Sequence, residues 1–413
     1  MKSIDKTYLD NAASTQLNPK VMQSMKPFLS SIYGNPSSQH DFGITAKIAL
    51  EKSREVVSKV LEVNPKEIIF TSGGTESTNL AIFGVCNRYV QNNSKPGHII
   101  TTPIEHEAVL EPIKTLEKQG WSISYLNINK QGEITDLDQV SQLIQKNTVL
   151  ISVMYANNET GTILPINEIG GILNGINRQR KNSGLNKIIF HSDACQAGNT
   201  LELRPSKLNV DLLTLNGSKI NGPKGSGILF KSATCKITPL IFGGGQEFGL
   251  RSGTENLPSI VGFATALKLA QDHKVQTILN QCKLQEYLEQ ELQKLNHKII
   301  INGPCNSNIN STAHNFNLKK LPGTINFSVP TIESEALMHY LDAKGFIVST
   351  GSACTSQSID PSHVLLAMGC NPKTAKSSIR VSLNSSITKQ NLKNFIKALD
   401  KSIAQIKQTT QEI

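Results

Sequence analysis

The chain has 413 residues, a formal net charge of +10 and 38% hydrophobic residues. This length and composition predict a globular protein with a large core and a division into two domains. No apolar stretch reaches the roughly 18 residues of a membrane span, and the N-terminal segment lacks the apolar core of a signal peptide, so we expect a cytoplasmic protein. The seven cysteines are scattered and form no CxxC pair, which argues against a disulfide framework or a metal site.

Lysine and arginine are spread along the whole chain. A basic, solvated surface is the simplest explanation, and attraction of a phosphate ligand, an acidic partner or tRNA is the functional alternative. Because no basic cluster is interleaved with aromatic residues, we expect no nucleic-acid partner.

Short apolar runs bounded by polar and small residues predict the buried strands of an α/β sheet. These runs cover residues 68–71, 98–101, 149–154, 188–190, 212–215 and 227–230. Helical patterns alternate with them, as over residues 43–61 and from residue 166, and this alternation indicates a mainly parallel sheet covered on both faces. We expect the basic segment 178–182 to be a solvated surface loop.

The pattern changes after residue 257. A long helical stretch runs from 258 to about 297, and a new strand at 325–328 restarts a sheet, which indicates a second domain. In the last helix, apolar residues recur at a spacing that buries one face. We interpret this stripe as core packing; it consists of Leu392, Phe395, Ile396, Leu399, Ile403 and Ile406.

Two of the predicted strands lead to residues that carry chemistry. The run 188–190 is followed by Asp193, and the run 212–215 is followed by Lys219. Ligands of α/β sheets bind beyond the carboxyl ends of the strands, so these two side chains are predicted to face one ligand. Pyridoxal 5′-phosphate (PLP) requires such a pair, a lysine that bonds to its aldehyde and a carboxylate that keeps its ring nitrogen protonated. The alternative is that Asp193 caps a helix and Lys219 is a surface amine.

Glycines follow the predicted strand 68–71 and open a helix, in the string SGGTESTN over residues 72–79. Backbone amides at such a turn, together with the positive end of the helix dipole, favour an anion such as a phosphate. A plain helix cap with flexible glycines is the alternative.

Cys354 stands among small, polar residues, GSACTSQS over 351–358. This setting predicts a thiol that is exposed rather than packed. The alternative is a buried cysteine that behaves as a small hydrophobe, and we expect that behaviour of Cys86 and Cys282, which lie in apolar helical segments.

Taken together and in this order, the motifs resemble those of the cysteine desulfurases of the class V aminotransferase group. The resemblance covers residues 7 to 405, and its main segments are 8–19, 72–79, 105–109, 155–161, 191–196, 216–225, 243–254, 349–356 and 377–382. Two positions depart from the family's pattern, because Asn216 and Ser218 stand where the family has serine and histidine.

The resemblance implies a PLP-dependent transferase of the aspartate-aminotransferase type, which is fold type I. That fold has a mainly parallel seven-stranded sheet in a large PLP-binding domain and a smaller α+β domain. We assign residues 17–260 to the large domain. The small domain, at residues 1–16 and 261–413, then carries the active-site cysteine.

The resemblance also implies roles around the cofactor. Lys219 bonds to the aldehyde, Asp193 holds the ring nitrogen, and Gln196 bonds to the ring oxygen. His106 stacks on the ring and moves protons, a task that suits an imidazole whose pKa lies near neutrality. The implied phosphate ligands are Gly74, Thr75, Asn216, Ser218 and, from a second copy of the chain, Thr254. The partner implied by Thr254 is therefore a homodimer.

The resemblance places Asn158 near both the cofactor ring and the α-carboxylate of the substrate. It places Arg380 at the same carboxylate, which the guanidinium fork can bind through both oxygens. Cys354 attacks the sulfur of L-cysteine, so that L-alanine is released and a persulfide stays on the enzyme. The residues around Cys354 match the desulfurases with a longer loop, which pass sulfur to an acceptor protein in iron–sulfur cluster assembly or sulfur relay.

Two alternatives stay open at this point. The first is a selenocysteine lyase or another carbon–sulfur lyase on the same fold. The second is a non-catalytic sulfur carrier or scaffold, which the altered phosphate residues suggest and the intact Lys219, Asp193, His106 and Cys354 oppose.

Overall fold

The computed structural model describes residues 6–306, 316–350 and 360–411. The strands in these ranges are β1 (Thr7–Tyr8), β2 (Ile68–Thr71), β3 (His98–Thr101), β4 (Ser122–Tyr125), β5 (Thr148–Ser152), β6 (Ile189–Asp193), β7 (Leu212–Asn216), β8 (Gly227–Lys231), β9 (Ile300–Asn302), β10 (Thr324–Ser328), β11 (Phe346–Ile347) and β12 (Ser378–Ser382). The helices are α1 (Pro19–Met25), α2 (Asp41–Leu61), α3 (Gly74–Asn93), α4 (Glu107–Lys118), α5 (Asp138–Leu143), α6 (Ile166–Asn182), α7 (Pro205–Leu208), α8 (Leu257–Asp272), α9 (Lys274–Lys294), α10 (Ser334–Ala343), α11 (His363–Ala367), α12 (Pro372–Lys376) and α13 (Lys389–Gln411). No helix in the described ranges is long and apolar enough to cross a membrane.

Seven strands form the main sheet, in the order β2-β8-β7-β6-β5-β3-β4. The pairs from β7 to β4 are parallel, while β8 lies antiparallel between β2 and β7. Because β2 and β7 are both antiparallel to β8, β2 runs in the same direction as the parallel strands. The prediction of an α/β fold with a mainly parallel seven-stranded sheet is confirmed.

Both faces of this sheet are buried along strands such as β2, β5 and β8, which explains their continuous apolar runs. The edge strand β4 is exposed or half-buried. Along β2 the side chains alternate between faces, so that Ile68 and Phe70 lie in one core and Ile69 lies in another. The helices α2, α6 and α8 cover the first face, and α3 and α4 cover the second.

A separate core lies in the C-terminal third and contains the three-stranded antiparallel sheet β12-β10-β9. The apolar stripe of α13 packs there as predicted, with Phe395 and Leu399 fully buried. Leu9 joins the same core, and β1 pairs with β11, so the N-terminal segment belongs to this part of the fold. The domain boundaries stay a prediction, and residue 260 falls inside α8, whose Phe263 packs in the core of the main sheet.

The basic segment 178–182 is not a loop, because it completes α6. Four of its five residues are exposed as predicted, and Arg180 is the exception. Arg180 is buried, and its guanidinium donates to the carbonyl oxygens of Asn186 (2.8 Å), Lys146 (2.9 Å) and Gln145 (3.1 Å). A planar group with five N–H donors can satisfy several loop carbonyls at once. Arg180 thus ties the end of α6 to the loop that precedes β5.

Candidate active site

The predicted site residues gather at one edge of the main sheet. β3, β5, β6 and β7 are parallel and β2 runs with them, so the carboxyl ends of all five strands meet at this edge. Gly74 follows β2, His106 follows β3, Asn158 follows β5, Asp193 ends β6 and Lys219 follows β7. The topology therefore brings together motifs that are far apart in the sequence.

The helix α3 begins at Gly74, which lies directly against Cys195 and Asn216. A Cβ at Gly74 would lie 2.6 Å from Cys195 Sγ and 3.5 Å from the side chain of Asn216, so the close approach requires glycine. The preceding Gly73 has a φ of +151°, which also favours glycine. The predicted phosphate cradle at the N-terminus of α3 is therefore adjacent to the residues after β7 that are predicted to bind the same phosphate.

Asn216 and Ser218, the two departures from the family's pattern, bond to each other. Asn216 Oδ1 accepts from the Ser218 backbone N–H (3.1 Å) and from its hydroxyl (3.2 Å). The amide NH2 is then the donor that Asn216 can direct at a ligand. Ser218 can donate its hydroxyl proton to a phosphate only by giving up its bond to Asn216.

The ammonium group of Lys219 is held by the N-terminal segment. Lys219 Nζ donates to the carbonyl oxygens of Ala12 (2.8 Å) and Ala13 (2.6 Å). Gln196 Nε2 donates to the same Ala12 oxygen at 3.0 Å, so the two predicted cofactor residues meet there. A cleft of about 370 Å³ reaches Lys219 and Gln196 from between this segment, α8 and the C-terminal third.

Asp193 is 7% exposed, and its Oδ1 accepts from the Cys195 backbone N–H at 2.9 Å. Beside it on β6, His191 is fully buried between the hydroxyls of Ser152 (2.9 Å) and Thr214 (3.0 Å). Burial lowers the pKa of His191 to about 4, although the charge of Asp193 opposes the shift. His191 is therefore neutral at pH 7 and leaves the negative charge of Asp193 available to a ligand.

The thiol of Cys195 lies within the electrostatic reach of both Asp193 and Lys219. Burial and the Asp193 carboxylate raise the pKa of Cys195 well above its ordinary value, while the charge of Lys219 opposes them. Cys195 is thus a neutral thiol at pH 7, and neutral thiols are poor nucleophiles.

His106 caps the N-terminus of α4. Its Nδ1 accepts from the Ala108 backbone N–H at 3.0 Å, so a neutral His106 carries its proton on Nε2. Nε2 is therefore the nitrogen that can exchange a proton with a ligand.

The neighbouring Glu105 is fully buried, and its Oε1 accepts from the Thr102 hydroxyl (2.7 Å) and the Met154 backbone N–H (2.8 Å). Burial raises the pKa of Glu105 to about 8, since it outweighs these two hydrogen bonds. Glu105 therefore holds a proton at pH 7 and adds no second charge near Asp193.

The guanidinium of Arg380 is 4% exposed and is held from two sides. Its Nη1 donates to the Asn158 carbonyl oxygen at 2.9 Å, and its Nη2 donates to Asp10 Oδ1 at 2.7 Å. Within the described part of the chain, the buried Nε has no hydrogen-bond partner. Asn158 thus contacts Arg380 through its backbone, and Nε is the buried donor that faces no acceptor.

Thr75 and Thr254, the remaining predicted phosphate residues, are exposed. Thr75 lies in the first turn of α3, and Thr254 lies in the loop that precedes α8. Their exposure leaves both threonines accessible to a ligand or to a second chain.

The family model for class V aminotransferases matches residues 7–395 of the chain. The chain belongs to the class V aminotransferase family. A relative named cysteine desulfurase IscS from Dictyoglomus turgidum is 41% identical over 400 residues, which cover 97% of this chain and 95% of the relative.

Solved structures agree with this membership. The structure of a NifS-like protein is 35% identical in sequence and has a TM-score of 0.86. The match covers 97% of the present chain and 99% of the NifS-like protein. A structure described as SspA in complex with cysteine is 33% identical in sequence and has a TM-score of 0.74. The match covers 91% of the present chain and 98% of SspA. These neighbours confirm the predicted fold type.

Membership confirms that this class V protein is an enzyme and that PLP is its cofactor. The donor set fits that group. Lys219 offers an amine, Asp193 offers a buried carboxylate, and the start of α3, which lies against Asn216 at Gly74, offers backbone N–H groups. The individual roles of these residues stay predictions.

Cys354 lies outside the described residues, but residues on either side of it contact the site. Ser349 pairs with Arg380 through two backbone hydrogen bonds of 2.7 and 3.2 Å. Ser362 donates to the carboxylate of Glu159 at 2.5 Å.

The sequence analysis missed three acidic residues of the site, Asp10, Glu105 and Glu159. Each lies within or directly beside a motif that the analysis used, and Glu105 and Glu159 adjoin the predicted site residues His106 and Asn158. Their neighbours in the sequence do not mark them, since Glu159 stands between Asn158 and Thr160, and only the structure shows which partners they have.

Proposed function

We propose that this class V enzyme is a cysteine desulfurase that converts L-cysteine to L-alanine and leaves the sulfur on Cys354 as a persulfide. The observation that carries the proposal is the placement of Lys219 and Asp193 at adjacent strand ends, beside a site that also holds Arg380. These residues suit chemistry on an amino acid: Lys219 supplies an amine for the PLP aldehyde, Asp193 a carboxylate for the PLP ring nitrogen, and Arg380 a guanidinium for the substrate carboxylate. The relative's name and the structure with cysteine support cysteine as the amino acid.

When bound, PLP supplies an electron sink for the substrate carbon atoms. The Arg380 guanidinium, held by Asn158 and Asp10, binds the α-carboxylate and fixes the substrate in place. His106 Nε2 moves a proton to or from the substrate. The Cys354 thiolate attacks the substrate sulfur, the carbon–sulfur bond breaks, the substrate carbon gains a proton, and alanine leaves.

One assay separates this proposal from its alternatives. The purified protein, saturated with PLP, is given L-cysteine or L-selenocysteine, and alanine and enzyme-bound sulfur are measured. A desulfurase forms one persulfide for each alanine in the first turnover on cysteine. Alanine from selenocysteine alone would indicate a selenocysteine lyase, and no alanine from either would indicate a non-catalytic carrier.

A homodimer and a sulfur acceptor complete the proposal. The loop that precedes Thr254 carries the exposed apolar residues Ile241, Phe242 and Phe248, which suits burial against a second copy. Thr254 of each copy would then reach the phosphate of the other. The acceptor is an iron–sulfur scaffold or a sulfur-relay protein, and the cytoplasm is the expected location.

The altered phosphate residues lead to an expectation for Ser218→His. The Ser218 hydroxyl is already bonded to Asn216, and a neutral donor holds phosphate less strongly than an imidazole that can carry charge. The substitution should therefore slow PLP loss by about fivefold, as expected for a gain of about 1 kcal/mol. PLP retained during dialysis is measured by absorbance.

Ser232→His is the matched control, since it adds an imidazole at an exposed turn. It should leave PLP retention unchanged. Equal or faster PLP loss from Ser218→His than from the wild type would contradict the expectation and would indicate that other residues, such as Thr75, already compensate.

A further inference from the structure

Glu159 is a buried acidic residue on the loop that follows β5. It is 3% exposed, and its backbone N–H donates to Asn157 Oδ1 at 2.9 Å. Asn157 also accepts from the Thr160 backbone N–H (2.9 Å) and donates to the Ile104 carbonyl oxygen (3.0 Å). The loop is therefore a fixed turn, joined to the loop that follows β3.

The carboxylate of Glu159 is bound by a residue 203 positions away in the sequence. The Ser362 hydroxyl donates to Glu159 Oε2 at 2.5 Å and accepts from the Leu365 backbone N–H at 3.2 Å, so it also caps α11. Ser362 is 3% exposed, and the bond is shielded from water. Because both groups are buried, neither can exchange this bond for one to water, and its loss would leave a polar group unsatisfied.

The next residue of α11 makes a second link to the site. His363 Nε2 donates to the carbonyl oxygen of Glu105, at 3.0 Å. The start of α11 thus holds two loops, the one that carries His106 and the one that carries Asn158. Ser362 contacts Glu159, which directly follows Asn158, and His363 contacts Glu105, which directly precedes His106.

The Glu159 loop in turn holds Arg380. The Asn158 carbonyl oxygen accepts from Arg380 Nη1 at 2.9 Å, one peptide away from Glu159. A shift of the Glu159 side chain would therefore move the acceptor that orients the guanidinium, and a bidentate bond to a carboxylate depends on that orientation.

We propose that Glu159 and Ser362 are positioning residues, which fix the Arg380 guanidinium for the substrate carboxylate through the Asn158 carbonyl. The inference rests on the proposed function in one respect, namely that Arg380 binds the carboxylate. Neither Glu159 nor Ser362 touches the substrate in this arrangement.

Burial raises the pKa of Glu159, and the hydrogen bond from Ser362 and the charges of His363, Arg380 and His106 offset this shift only in part. Loss of the Ser362 hydroxyl would leave this buried carboxyl group without its closest donor, and the loop would have to shift to satisfy it.

The test compares Ser362→Ala with Ser402→Ala. Ser402 is a matched control, because its hydroxyl is also buried and donates, at 2.8 Å, to the Ala398 carbonyl within α13. In the PLP-saturated enzyme, Ser362→Ala should raise KM for cysteine about tenfold and leave kcat within about twofold. Ser362→Thr, which keeps the hydroxyl, should restore most of the affinity, and Ser402→Ala should match the wild type.

Cysteamine separates positioning of Arg380 from general disturbance of the site. It has the amine and thiol of cysteine but no carboxylate, so its inhibition constant should change less than about twofold in Ser362→Ala. An equal loss of affinity for cysteamine and cysteine would overturn the inference, because the defect would then not concern the carboxylate. An unchanged KM for cysteine would overturn it as well.

Glu159→Gln keeps the proposal testable if Ser362→Ala does not fold. Glutamine still offers one oxygen to Ser362, but its NH2 group needs an acceptor of its own in the buried turn, so KM for cysteine should rise about threefold. No rise in this variant would overturn the inference. Failure of the proposed function is a different result, since the wild type itself would then release no alanine from cysteine.

Discussion

Replacing Lys219 by alanine should abolish alanine release from cysteine, with a loss of at least about 10³-fold. Lys219 is the lysine at the carboxyl end of β7, opposite the Asp193 carboxylate of β6. Without its amine the protein cannot hold PLP covalently. It also lacks a base beside the substrate, so binding and proton transfer fail together.

The measurement has two parts. Rates of alanine release are compared for the wild type, Lys219→Ala and Lys224→Ala. Borohydride reduction of the wild type, followed by peptide mapping, then locates the pyridoxyl group. Lys224 is the matched control, because it lies five residues further along the chain and is exposed. A pyridoxyl group on Lys224, or on no lysine, would refute the assignment.

Cys354→Ser should reduce alanine release by about 10³-fold or more, since a hydroxyl is a poor nucleophile toward sulfur. PLP retention and cysteine binding should stay as in the wild type, because Lys219 and Arg380 are unchanged. The variant is therefore expected to bind its substrate and stop before the sulfur moves. Mass spectrometry of the protein after cysteine treatment should show a persulfide on Cys354 in the wild type and none in Cys354→Ser.

Cys195 and Cys305 are the competing thiols for this role. Cys195 lies nearest to the predicted cofactor residues, but its pKa is raised by burial and by Asp193, and its Sγ lies directly against Gly74. Cys305 is exposed. Cys195→Ala and Cys305→Ala should each keep persulfide formation. If Cys195→Ala abolished the persulfide while Cys354→Ser retained it, the mechanism would be wrong.

Cys86 and Cys282 behave as the sequence analysis expects. Cys86 and Cys282 are both buried in helices, and burial raises the pKa of Cys282 to about 12. Burial likewise raises the pKa of Cys235 to about 12. Thiols with such pKa values are protonated at neutral pH, so sulfur transfer through them is not expected.

The sequence by itself determined six of the seven strands of the main sheet and several residues that gather at its edge. It missed β4, whose side chains are exposed or half-buried and form no apolar run. Short apolar runs predict buried strands because both faces of a parallel sheet must exclude water, and the polar residues that end such runs are placed at one edge by topology. Asp193 and Lys219 could be found in this way, since each comes a few residues after a run of this kind. His106 and Asn158 were identified through the resemblance to the cysteine desulfurases. The apolar stripe on one side of α13 could also be predicted from the sequence, because the spacing of apolar residues along a helix is a local property.

Only the tertiary structure decided which groups bond to which. Arg180 was misjudged because a basic segment is usually solvated, whereas here its guanidinium satisfies loop carbonyls at the end of α6. The bond from Ser362 to Glu159 joins residues 203 positions apart, and the bond from Lys219 to Ala12 joins residues 207 positions apart. Local patterns carry no information about such pairs, since a buried polar group takes whatever partner the fold brings within hydrogen-bond distance.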